Sequence, residues 1–208
     1  MSDFGYSKRS RAVEEARSDI VSAFADVANR WDKNDPRTQR WMNAVAKFRA
    51  AIDNAYSGTL ADFARGNSAA SAVKTSDILD FLEADPMFFG SGYLKERVLT
   101  ALKQRKLERP EIKRLQRIIL GVVGKADRRR EIRDYCRVAV HVDSQNFRRE
   151  LQAIEGSENK QIALRANWVL AALDGRFVEI AQKSRMLRLM DGTNIDAFEN
   201  ARISRGNE

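Results

Sequence analysis

Residues 126–142 read ADRRREIRDYCRVAVHV. Wound as a helix, this stretch puts Ile132, Tyr135, Cys136, Ala139 and Val142 on one side at i, i+3, i+4 spacing, an apolar seam built for burial. Arg130, Arg133, Arg137 and His141 follow one another at steps of three and four on a different side, as a cationic ladder. The rest of the chain shares the habit. With only 3 Pro and 11 Gly in 208 residues, breaks are few, which favours long helices over sheets cut by many turns.

Downstream of the ladder, Ser144 caps a helix with Phe147, Leu151 and Ile154 inward and Gly156 as its stop. Helices over Glu158–Leu173 and Phe177–Met190 follow, the second stopped by Asp191-Gly192, and Thr193 opens a last short one. Upstream, Asp127 is placed to cap the ladder helix itself. Pro110 opens a helix with Ile112, Leu115, Ile118, Ile119 and Val122 inward, closing at Gly124. Tyr93–Lys106 forms another. Ser76 or Asp77 caps a short helix over Ile78–Ala84, halted by Asp85-Pro86. Met87, Phe88 and Phe89, caught between a proline and two glycines, read as a plug that buries both rings.

The first 65 residues read as a helical hairpin. Val13, Ala16, Ile20, Phe24, Val27 and Trp31 form one stripe over Ser10–Trp31. Asp35-Pro36 then opens a helix carrying Trp41, Val45, Phe48, Ile52, Ala55, Leu60 and Phe63, with an interruption at Ser57-Gly58. Residues 65–75, RGNSAASAVKT, are small and polar, read as a loop or linker, and mark the boundary between subdomains. The expected fold is therefore all-α: an N-terminal helical hairpin (1–65), then stacked antiparallel helix pairs in a short α-solenoid-like bundle (76–193), and a tail (194–208). The whole also fits one domain. Phe24, Phe48, Leu115 and Trp168 are expected in the core.

The segment LQAIEGSENKQIALRANWVLAAL, residues 151–173, resembles a HEAT-like repeat: a helix, a polar turn, then a helix with Ile162, Ala166 and Leu170 at four-residue spacing. Ala163 stands where such repeats usually carry arginine, and Ser157-Glu158 where aspartate is common. The resemblance covers one unit and at most residues 93–190. It implies a curved binding scaffold and no reaction.

Charge narrows the functional classes. The net charge of +8 is confined to residues 93–150, which hold 17 Lys/Arg against 8 Asp/Glu, while the flanking segments are balanced to within one charge. A localised excess is a partner-facing field rather than general solubility. The candidate anion-binding residues are Lys125, Arg128, Arg129, Arg130, Arg133 and Arg137, with Arg114 and Arg117 from the preceding helix. Arginine is suited to bidentate phosphate or carboxylate contacts. The partner expected is nucleic acid, through its phosphates, or else an acidic protein surface. A solvated face remains the other reading, because Glu131 and Asp134 lie within helical reach of Arg128, Arg130 and Arg137.

No catalytic, metal or cofactor site is expected. Cys136 and His141, the one Cys and the one His, point about 140° apart on one helix, so they cannot form a nucleophile–base pair locally. Cys136 belongs to the apolar seam and reads as a buried thiol. Asp77, Asp80 and Glu83 form an acidic stripe, which reads as an exposed face. The single cysteine excludes an intramolecular disulfide and points to the cytoplasm. No run of about 20 apolar residues is present to enter a membrane, and the N-terminus lacks the apolar region of a secretory signal.

Overall fold

The computed structural model describes residues 4–127 and 129–176. Among them, nine α-helices and two 3-10 turns cover 71% of the residues, with no strand. The two helices expected over Phe177–Met190 and after Thr193 lie outside the described residues, as do Arg128 and the tail.

α1 (Tyr6–Ala25) and α2 (Pro36–Asp53) form the N-terminal hairpin. Asp35 caps α2 as expected: its carboxylate accepts the Arg37 N–H at 2.8 Å, with Pro36 at the first helical position. α1 ends six residues before Trp31. Asn29 explains the early stop, because its side-chain oxygen takes the Trp31 N–H at 3.0 Å and its carbonyl takes the Thr38 hydroxyl. Such local bonds offer the backbone an alternative to the helical ladder.

The shortened helix corrects one core assignment. Phe24 is 50% exposed, its ring packed on that of Trp41, 5.6 Å away. Among the described residues the hairpin packs mainly on itself here, α1 against α2, and Phe24 stays half-exposed. The other end is buried. Tyr6 packs edge-on against Phe81 at 5.6 Å, and its hydroxyl shares a hydrogen bond with Ser57.

The chain breaks after α2 and restarts as α3 (Gly58–Arg65), where the Ser57-Gly58 interruption was expected. The 66–74 connection is pinned rather than loose, because Arg105 donates to the Ala70 carbonyl and the Thr75 hydroxyl. The main core draws residues from both sides of this connection, from Tyr6 to Ala172.

α4 (Thr75–Ala84) begins earlier than expected, so Asp77 lies inside the helix and accepts the Thr59 hydroxyl at 2.9 Å instead of capping. After it, Met87-Phe88-Phe89 buries one ring and not two. Ser91 accepts the Phe88 N–H and donates back to its carbonyl, and Gly90 turns the chain at φ 90°. That knot sends Phe88 inward and leaves Phe89 54% exposed.

α5 (Ser91–Leu102), α6 (Arg109–Val123), α7 (Ile132–Ala139), α8 (Gln145–Glu155) and α9 (Lys160–Leu173) continue the stack through the described residues. α4 packs on α6, α5 on α7, α7 on α9, and α8 pairs with α9. α6 runs where Pro110 and Gly124 bracket it, opened by a reciprocal Glu108–Glu111 capping box. Leu115, Tyr135, Phe81 and Phe147 are fully buried, while Phe48 and Trp168 are half-buried at the edge of the core.

Two small predictions arise here. Ser144 caps α8 by accepting the Phe147 N–H and also receives the Gln116 amide. Ser144→Ala is expected to cost about 1 kcal/mol, read by a urea melt. Cys136 is fully buried, and that burial pushes its thiol up to about 12. A disulfide-exchange reagent at pH 8 should therefore leave the native thiol untouched and titrate one thiol in guanidinium. Rapid reaction of the folded protein would contradict the packing of the α7 seam.

Candidate anion-binding surface

The arginine-rich segment does not wind into one helix. α7 starts at Ile132, five residues after Asp127, and Asp127 does not cap it. The reason is Arg129. Its side chain, 1% exposed, turns inward to meet Asp85 and Asp127, each through two hydrogen bonds of 2.6 Å. A helix from Asp127 onward would carry this guanidinium away from Asp85, and the described residues between Asp127 and α7 stay irregular.

Asp85 is the centre of that cluster. It closes α4 in the left-handed region at φ 47°, a conformation aspartate tolerates better than most residues. Its carboxylate accepts from Lys95 at 2.7 Å, from Lys125 at 2.6 Å and from Arg129. Burial opposes its ionisation, but the hydrogen bonds from Arg129, Lys125 and Lys95 win and hold the carboxyl far below the usual carboxylate range. Burial likewise disfavours charge on Arg129, and the two aspartates overcome it, raising its pKa. Glu131 lies beside the cluster, 3.5 Å from Lys95 and 3.6 Å from Arg129. Arg165 of α9 closes it from the other side, donating to the carbonyls of Val122, Lys125 and Asp127.

The expected anion-binding residues therefore divide. Arg129 is interior and Lys125 is half-engaged with Asp85, so neither presents a free cation. Arg114 reaches across to Asp80 and Glu83 of α4. Asp80 and Glu83 of the acidic stripe thus face α6 while Asp77 does not, with burial working against the Arg114 charge and the two carboxylates raising its pKa. Arg130 lies before α7, paired with Glu96 and stacked 4.0 Å over the Tyr93 ring. Arg137 pairs with Asp134 at 3.0 Å within α7. Arg133 is exposed, and among the described residues its side chain makes no hydrogen bond or ion pair. Arg130 and Arg137 both reach the α5–α7 seam, while Arg117 is on the outside of α6.

Arg117 has company there. Arg109, Lys113 and Arg117, at steps of four, are all exposed, and none has a carboxylate partner among the described residues. Lys113 and Arg117 point directly away from buried Leu115. The signal was present in the sequence as i, i+4 spacing, but only packing shows which cations are already neutralised. Three charges per face, each rising about 6 Å along the axis, form a row that can meet a line of phosphates or carboxylates.

Among the described residues, no group of three or more His, Cys, Asp or Glu is placed to hold a metal ion. No helix among them is long and apolar enough to cross a membrane. No protein-family model, curated protein or solved structure matches the chain.

Proposed function

We propose that this chain is a cytoplasmic binding protein that docks a polyanion, the nucleic-acid backbone, on the outer face of α6. The observation that carries the reading is the exposed row Arg109, Lys113 and Arg117 with no acidic neighbour engaged. Unpaired surface cations remain available to an external anion, whereas Arg129 and Arg114 are already held by carboxylates of this chain. Phosphate neutralisation releases counterions, so such binding weakens steeply with salt and depends little on base sequence.

The test is fluorescence anisotropy on duplex DNA and duplex RNA across a salt series. If each residue of the row touches one phosphate, changing Arg109, Lys113 and Arg117 together to Ala flattens the log–log slope by roughly 2.7, three contacts at ~0.9 each. Folding should survive, since exposed substitutions cost ~0.5 kcal/mol or less. The triple change of Arg130, Arg133 and Arg137 should flatten it less, because Glu96 and Asp134 already hold two of the three. Equal slopes for the α6 variant and wild type, or no wild-type binding at low salt, would remove the row as a nucleic-acid site. An acidic protein surface would then be the better partner.

A further inference from the structure

A groove of about 570 Å³ opens between the C-terminal half of α2 and the start of α5, away from the α6 row. Four aromatic rings line it: Phe48 and Tyr56 from the hairpin side, Phe89 and Tyr93 from the α5 side. Arg49 and Arg97 stand at its rim. Phe89 is 54% and Tyr93 50% exposed, an unusual display for two neighbouring large rings.

Both rings are held in place. The Phe89 N–H bonds the Glu14 carboxylate at 2.7 Å, and its ring packs on Phe48, 5.9 Å between centroids. One face of Tyr93 is covered by the Arg130 guanidinium, which Glu96 anchors. Arg97 is oriented by the Phe63 and Ala64 carbonyls and leaves other N–H groups unused. Arg49 is exposed and unpaired. The lining carboxylate, Asp53, is neutralised by Arg65 at 3.2 Å. Charge at this groove is therefore positive, and its floor is aromatic.

We propose that the groove binds an unpaired nucleotide of a single-stranded nucleic acid, its base against Phe89 and Tyr93 and its phosphates on Arg49 and Arg97. The volume lies in the range of pockets that enclose one small molecule, which suits a single planar unit. Preset rings offer stacking to any base, and cations on the rim follow the backbone. Arg97 also lines a shallower groove, where Arg137 is already held by Asp134 and Glu96 adds a second carboxylate, so the site is confined to the first groove. This goes beyond duplex docking on α6: it names a second site, with strandedness as its selector, and it stands whether or not the α6 row binds.

The experiment uses the full chain, a labelled ten-nucleotide oligothymidylate, and a duplex of equal length. The wild type is expected to bind the oligothymidylate at low salt. The Phe89→Ala, Tyr93→Ala variant should bind it roughly 5- to 150-fold more weakly for each base that loses its stacking, with duplex binding unchanged. Tyr93→Phe, which keeps the ring, should bind like wild type. Should the double variant lose its far-ultraviolet circular dichroism signal, Arg49→Ala carries the test, because that side chain is exposed and unpaired. Its salt slope on the single strand should fall by roughly 0.7. Undiminished oligothymidylate binding by the folded double variant, an unchanged slope for Arg49→Ala, or no wild-type binding overturns the proposal. Failure of the α6 row reads differently, as an unaltered duplex slope with single-strand binding intact.

Discussion

Replacing Asp85 with asparagine is expected to remove about 3–5 kcal/mol of unfolding free energy, the usual cost of stranding one side of a buried ion pair. Asp85 is 6% exposed and meets Lys95, Lys125 and Arg129 together. Lys95 and Arg129 are interior side chains, so neither can turn to water when its partner is neutralised. Asparagine is the right probe because it accepts the left-handed backbone at this position about as well as aspartate. Any loss is then electrostatic and not conformational. Urea melts at pH 7 would read the change in midpoint, and a loss under about 1 kcal/mol would mean that Glu131 and Asp127 suffice to hold the cluster.

The same carboxylate makes the protein acid-sensitive. A folded-state pKa held below the unfolded value contributes stability that is fully present above the unfolded value, about 3.9. That contribution is lost as pH falls through the depressed folded value. Asp127, where burial raises the pKa but Arg129 and Arg165 lower it further, acts in the same direction and the same window. Wild type should therefore lose stability below about pH 4, and the Asp85→Asn protein should lose less over that range. Parallel curves for the two proteins would count against the cluster as the source.

Leu115→Ala should cost about 2–5 kcal/mol, near the top of that span. The side chain is fully buried on a helix that packs against α4, α7, α8 and α9. Helices packed around α6 limit how far such a cavity can relax. Phe24→Ala is the contrast, expected near about 1 kcal/mol, because its ring contributes one aromatic pairing and half its surface is already wet. If the Leu115 change cost under about 0.5 kcal/mol by denaturant melt, the inward face of α6 would be misassigned.

These contrasts show what the sequence could and could not convey. α6 was legible because its period, its proline and its glycine all agree locally, and Leu115 landed where the stripe put it. Phe24 obeyed the same stripe and still faces solvent, because periodicity reports which side of a helix is apolar and not whether a third layer arrives to cover it. The Asn29 turn was hidden for a related reason: a side chain competing with the helical ladder leaves no mark on hydrophobic spacing. Arg129 and Arg130 are adjacent and alike in sequence, yet one is interior and the other exposed. What separates them is Asp85, 44 residues away from Arg129, and no local window can contain that partner. The aromatic groove was invisible likewise, since Phe48 and Phe89 come together only when the hairpin docks on α5.

Arg165 changes what kind of stack this is. In an open array of helix pairs each unit touches only the next, and an end unit can be removed with the remainder left standing. Here a buried guanidinium from α9 closes the last carbonyls of α6 and the segment entering α7. The α8–α9 hairpin is thereby a keystone and not an appended module. Its loss would unlatch the turn that holds Arg129 against Asp85, so the α6–α9 region melts as one cooperative block instead of fraying from its end.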